Sequence, residues 1–314
     1  MLLYAMKRLG LMTAIVAVAM TILFTMIHLV PGDPASIALG PRATPAMVQD
    51  FRERMGLDQP VAVQLLRFFG NVLSGNMGVD VWTQKSVAVI VFNELPYTVV
   101  LALAGLGWAV VLGIPLGCYS AVRRGTWLDR FTGVFSVAAI AVPSFVIAIY
   151  LLLVFAVWLR WFPAIGAGPS DDPLRQAWHL VLPAFAIGLG WVGFLARLVR
   201  ASMLEIMGEN HIRTARAFGL SPRKIIYRYA LKLAILPTVA LLGVGMGRLL
   251  SGAVFAEIVF NRPGVGRLVF ESVNSRNYPI VMGAVMVTTV LFAVSTLLSD
   301  LAAAALDPRT RDKL

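Results

Sequence analysis

Long apolar runs alternate with short, mostly basic segments along the whole chain. The runs occupy residues 9–30, 98–121, 131–159, 180–198, 233–259 and 280–306. Each has room to carry a helix across a hydrocarbon layer of about 30 Å at about 1.5 Å per residue. The pattern predicts an all-α polytopic membrane protein with six transmembrane helices. The first run follows Lys7-Arg8, exceeds a signal-peptide core and leads into Val30-Pro31-Gly32-Asp33, which is no obvious cleavage site, so it reads as a retained span.

Residues 31–97 are polar and punctuated, with breaks at Pro31-Gly32-Asp33-Pro34, Gly40-Pro41, Gly56 to Pro60 and Gly75-Asn76. Regularly placed apolar residues between the breaks argue against a floppy linker. They predict an extracytoplasmic cap between spans one and two. One helix runs from Thr44-Pro45 to Gly56, and a second covers 61–72 with Val63, Leu66 and the apolar positions adjacent to Phe69 turned inward. A third covers 87–95 and leads into the membrane. The chain then divides into a tail and first span (1–30), the cap (31–97) and a transmembrane core (98–314), with a cytoplasmic loop at about 201–232 between spans four and five.

Within the core, Pro115 and Pro143 withdraw backbone hydrogen bonds at membrane depth, which either kinks a helix or opens it toward a pathway. Trp158, Trp161, Phe162 and Trp178 border an outer loop at 160–177 and fit an interfacial belt. Gly243, Gly245, Gly247 and Gly252 in the fifth run permit close helix approach.

Composition agrees with a bilayer setting: 59% hydrophobic residues, 14% charged and a mean hydropathy of +0.80 exclude an ordinary soluble domain. A net charge of +11 suggests nucleic acid only until its placement is considered. Sixteen Lys and Arg, against five acidic residues, fall in the start, 123–130, 197–232 and the tail. The alternate segments hold ten basic residues and, with Glu257 at the outer end of the fifth run, ten acidic ones. Basic excess marks the cytoplasmic side, so both termini are expected there, and no nucleic-acid partner is needed to explain the charge. The lone Cys118 lies in an apolar run and rules out an intrachain disulfide.

Candidate chemistry is sparse. No Gly-Lys dipeptide occurs, so the chain has no P-loop, and it has no H-E-x-x-H or G-x-S-x-G motif. His28, His179 and His211 fall in different segments and predict no shared metal site. No catalytic residue, metal or cofactor is therefore assigned to this chain. Arg248 lies well inside the fifth run and has to face protein or water, as a pathway residue or as one member of a structural pair. Glu257, near the outer end of that run, is expected to snorkel or pair, and Asp300, near the inner end of the sixth, to pair.

The most informative segment is 211–237, HIRTARAFGLSPRKIIYRYALKLAILP. Residues 212–218 can form a short helix, Gly219 suits the position past its end, and Ser221-Pro222 suits a cap and a first helical turn. Two helices should meet there at a fixed elbow. Arg213 and Arg216 share a face, and Ala215 and Ala217 keep the helix slim enough to lie against another surface. Spacing alone equally allows a basic juxtamembrane loop.

The run Arg213-Thr214-Ala215-Arg216-Ala217-Phe218-Gly219-Leu220-Ser221 resembles the EAA loop of importer-type ABC transporter permeases. Arg213 stands where Glu is usual, as in the dipeptide, oligopeptide and nickel branch. Tyr229 replaces an Ile, Lys232 a Pro, and Phe218 a frequent Lys. The same branch is resembled by Pro31 to Ala35 (PGDPA), Gly56 to Pro60 (GLDQP), Arg262 to Leu268 (RPGVGRL) and Asp307-Pro308-Arg309.

The resemblance implies a transmembrane permease subunit of an ATP-driven importer in a bacterial cytoplasmic (inner) membrane. It would form half of a pathway for short peptides, or for nickel, glutathione or opine-like solutes. Arg213 to Ser221 would form a cytoplasmic coupling helix docked in an ATPase subunit. The implied partners are a second homologous permease, two ATPase subunits that hold ATP and Mg, an extracytoplasmic solute-binding protein, and lipid. A stand-alone carrier or channel would require buried ionisable pairs along its spans, whereas only Arg248 and Asp300 are intramembrane charges. A scaffolding protein leaves the elbow at Gly219 and Pro222 without a purpose.

Overall fold

The computed structural model describes residues 2–29, 43–55 and 58–306. The PGDPA motif, Gly40-Pro41, Gly56 and the 307–309 tail lie outside the described residues, as do the side chains of His28 and Asp300. The regular secondary structure of the described residues is helical apart from one antiparallel bridge, Val79 with Ser86. In chain order the helices are α1 (Leu2–Leu29), α2 (Pro45–Met55), α3 (Val61–Leu73), α4 (Val87–Val122), α5 (Trp127–Ala141) and α6 (Ser144–Leu151). They continue with α7 (Pro173–Met207), α8 (Asn210–Ala217), α9 (from Pro222), α10 (Leu236–Val259), α11 (Val265–Asn274) and α12 (Tyr278–Leu306). α6 ends in a π-helical stretch, Leu152–Trp158. α9 passes through another, Ile225–Ala230, before closing as Leu231–Ala234.

Four helices are long and apolar enough to cross a membrane, and two bent pairs bring the number to six when each pair is counted as one span. Their boundaries differ from hydropathy in physically interpretable ways. The expected helix at 87–95 and second span at 98–121 are one helix, α4, of 36 residues. The fourth span begins at Pro173 instead of 180, because Asp172 caps it by accepting the Arg175 amide at 3.0 Å and Pro173 supplies a preset first turn. At about 1.5 Å per residue α7 outruns the hydrocarbon layer, carrying Arg197 and Arg200 on its inner end.

The third span is not a gently kinked helix. α5 and α6 meet at 100°. Pro143 forces its predecessor out of the helical region, so Val142 (ψ 123°) and Pro143 (ψ 141°) are both extended. The fifth span bends by 40° where α9 gives way to α10.

Two compact units divide the chain. In the unit built on Tyr97–Gly266, α7 is the central element, and small residues let its neighbours approach. A side chain at Gly113 or Gly117 of α4 would collide with Val192 or Ala196 of α7, and one at Gly193 with Ser136 of α5. In the unit built on Leu2–Pro96 and Arg267–Leu291, Met20 and Phe24 of α1 pack with Met282 and Met286 of α12. α3 adds Leu65, Phe68, Phe69 and Val72 to that core, while Leu66 points outward at 72% exposure. The expected apolar positions around Phe69 thus pack inward and Val63 is half-buried, and the departure is at Leu66, whose place in the core is taken by Leu65.

Asp80 organises a turn in the same unit. Its carboxylate accepts the amides of Trp82 and Thr83, each at 3.1 Å, together with the Thr83 hydroxyl and the Asn277 side-chain amide.

Candidate functional site

α8 is short, yet its ends are firmly determined. The amides of Ile212 and Arg213 donate to the Glu209 carbonyl at 3.1 and 3.2 Å. At the far end the Leu220 amide donates to Ala215 O at 3.2 Å and the Gly219 amide to Arg216 O at 2.9 Å, the paired bonds of a Schellman motif. Gly219 adopts φ +71°, where a Cβ introduces strain. Leu220 folds back onto the apolar cluster that contains Ala215. Ser221 then turns the chain (ψ 144°) and Pro222 opens α9, forming the elbow. Ser221 contributes its carbonyl, which accepts from Ile225 N at 3.1 Å, and no side-chain cap.

Of the nine residues singled out by sequence, Arg213, Thr214, Arg216, Ala217, Phe218, Gly219 and Ser221 are exposed, and Phe218 is 80% exposed. Leu220 is half-buried. Ala215 turns inward with Ile212 against Cys118, Val199, Met203 and Ile225. Ala215 and Ala217 thus separate, since residues two apart lie on different faces of a helix.

Behind this cluster stands an ion pair that sequence reasoning missed. Arg200 of α7 reaches Asp129 of α5 through Nε at 2.5 Å and Nη2 at 2.9 Å. Asp129 also accepts the Ser120 hydroxyl of α4 at 2.5 Å and the Gly125 amide at 2.9 Å. One buried carboxylate ties three helices and the basic turn between α4 and α5. The available signal was a lone acid at a helix start among Arg123, Arg124 and Arg130.

Arg248 is exposed on α10, beside a concavity of about 200 Å³. Ser144, Trp191 and Phe194 are among its other lining residues, and so is Val142 at the break in the third span.

Comparison with known proteins gives this arrangement its context. Residues 113–312 match the family described as binding-protein-dependent transport system inner membrane component, and residues 1–102 match the N-terminal part of such membrane components. The chain belongs to this family of transporter permeases.

Full-length relatives of the permease place it in the peptide importer branch of ABC transporters. The probable peptide ABC transporter permease protein y4tP of Sinorhizobium fredii is 36% identical, covering 98% of this chain and 99% of the relative. The dipeptide transport system permease protein DppB of Alkalihalophilus pseudofirmus is 32% identical, over 99% and 100%. The glutathione transport system permease protein GsiC of Escherichia coli (strain K12) is 34% identical over the full length of both chains. The fold resembles a chain of the inward-facing MetNI methionine ABC transporter, with a TM-score of 0.59 and 18% identity, covering 70% of the permease and 97% of that chain. The protein is a transmembrane subunit of an ABC importer and a multi-pass inner-membrane protein, which sets aside the stand-alone carrier and the scaffold.

The permease also explains its RPGVGRL element through Glu257, which is fully buried instead of snorkelling. Thr98 donates its hydroxyl to the Glu257 carboxylate at 2.6 Å and accepts the Val265 amide at 2.8 Å. A Cβ at Gly264 or Gly266 would strike the Glu257 carboxylate, so both glycines make room for a buried acid. The buried Arg262 guanidinium lies over the Tyr97 ring, 5.8 Å from its centroid.

Proposed function

We propose that the permease forms half of a translocation pathway for short peptides and that α8 with its elbow is the coupling helix. The observation that carries this reading is the division of α8 into an anchored face, Ile212 and Ala215, and an exposed face bearing Arg213, Arg216 and Phe218. A surface held this rigidly can receive a displacement from a partner and pass it to α4 and α7 through the cluster behind it. Peptide and dipeptide permeases among the relatives support the solute class, and glutathione permeases of equal similarity support a second reading, a glutathione-like solute.

In this reading two ATPase subunits bind ATP and Mg, and this chain holds neither. A second homologous permease completes the pathway, and an extracytoplasmic binding protein delivers the solute. Both termini and the 201–232 loop are cytoplasmic, residues 31–97 form an outer cap, 98–314 form the core, and Arg248 borders the pathway. ATP binding draws the ATPases together, carries the coupling helices with them and exposes the cavity to the opposite side.

The test is solute-stimulated ATP hydrolysis by the assembled transporter. Gly219→Pro, which cannot adopt φ +71°, and Arg216→Glu, which reverses an exposed charge, should each abolish stimulation while the chain remains in the membrane. Undiminished stimulation in both would sink the coupling assignment.

A further inference from the structure

Arg248 emerges from a strip of α10 cleared of side chains on both sides. Three residues before it, Gly245 lets the Trp191 ring lie on the helix, since a Cβ there would fall 2.8 Å from the ring. Four residues after it, Gly252 leaves space toward the Ser144 hydroxyl, 3.4 Å from where its Cβ would stand. Glycines at these spacings share the face of Arg248, so no side chain crowds its guanidinium from positions 245 and 252. The concavity beside it is walled by aromatic and aliphatic groups, no Asp or Glu lines it, and no carboxylate pairs with Arg248 among the described residues.

A permanent cation at membrane depth, with no carboxylate partner among the described residues and an open cavity before it, is suited to meet an anion from outside the chain. The planar guanidinium fork matches a carboxylate in particular, through two parallel N–H···O bonds, and the Trp191 and Phe194 faces suit the apolar body attached to it. We infer that Arg248 receives a carboxylate of the solute in transit, so that the importer's cargo is a carboxylate-bearing small molecule, such as a short peptide, and not a bare divalent metal ion. This rests on the reading of the chain as half of a translocation pathway. It narrows the solutes left open by sequence, because a lone cation on the wall repels a metal ion and attracts the acidic end of a peptide or of glutathione.

Charge rescue tests the inference in the complete transporter, reconstituted in proteoliposomes with its own partners and probed with trialanine, glutathione and Ni²⁺. Cys118 is the chain's one native cysteine and is buried, so the unsubstituted transporter serves as the reagent control. Arg248→Cys should lower ATP-driven uptake of the carboxylate probes at least about tenfold, while the complex stays assembled with its second permease. Treating that variant with aminoethyl methanethiosulfonate, which restores a cation, should recover uptake, and sulfonatoethyl methanethiosulfonate should not.

Equal effects of the two reagents, unchanged uptake by Arg248→Cys, or loss of the second permease from that variant would each overturn the inference. The last would identify Arg248 as an assembly residue. Uptake of Ni²⁺ alone, or of no carboxylate probe by a complex whose ATPase still responds to its binding protein, overturns the inference and leaves the importer reading standing. An unsubstituted complex with neither uptake nor stimulated hydrolysis overturns both.

Discussion

Ser299 places its hydroxyl 2.9 Å from the amide of Gly243 and 3.0 Å from the carbonyl of Val239, bridging a donor and an acceptor that the four-residue helical spacing ordinarily pairs directly. A side chain of α12 thereby hydrogen-bonds directly to the backbone of α10. The glycine makes this possible, because a Cβ at 243 would meet both Cβ and Oγ of Ser299.

Gly243→Ala should therefore destabilise the permease by about 1–3 kcal/mol, the usual range for overpacking a close contact. Combining it with Ser299→Gly, which removes both atoms that the new methyl strikes, should cost less than the two single losses added together, since residues in contact are not additive. Thermal midpoints of the detergent-solubilised transporter measure both variants. Independent, additive losses would contradict the contact.

The Asp129–Arg200 pair predicts a different behaviour. Its side chains keep 8% and 31% exposure, so it is partly shielded from water. Arg200→Met leaves Asp129 with only its Ser120 and Gly125 donors. The expected loss is about 2–3 kcal/mol, below the full range for a broken buried pair because Arg200 is partly solvated. Removing both charges with Asp129→Leu and Arg200→Met should cost less than the two single losses combined. The same midpoints, with protease cleavage in the 123–126 turn as a local probe, decide it.

Asp80 predicts a pH profile. Burial pushes its carboxyl up, but hydrogen bonds from the Thr83 hydroxyl, the Trp82 amide, the Asn277 side chain and the Thr83 amide outweigh it and hold the group below the usual carboxylate range. A depressed folded value means that the stabilisation is fully present above the unfolded value of about 3.9 and is lost as pH falls through the folded value. Between pH 5 and 8 the turn should thus be insensitive to pH. Asp80→Asn should loosen it throughout that window, read as faster hydrogen exchange at the Trp82 and Thr83 amides after correction for intrinsic rates. Exchange equal to the unsubstituted protein at pH 7 would remove Asp80 from its organising role.

Several features of this protein were legible in the residues because they depend on local chemistry alone. Hydrophobic run length determined the number of spans, since every backbone polar group in lipid has to be paired within a helix. The α8 elbow was readable because a left-handed residue past a helix end calls for glycine and a first helical turn accepts proline, conditions met by Gly219 and Pro222. The start of α7 at Asp172-Pro173 was equally present in the sequence, but hydropathy masked it because the helix continues beyond the apolar layer.

Tertiary structure alone decided which charged and polar side chains meet. Asp129 and Arg200 are 71 positions apart and Thr98 and Glu257 are 159 apart, and no periodicity relates residues at such separations. It also decided the face of α8 that is buried, the 100° turn at Pro143 and the open strip around Arg248. Each of these depends on what a neighbouring helix brings to the same place. Local preference selects the helices, whereas close packing between distant segments selects which of their side chains are enclosed, paired or left facing a cavity.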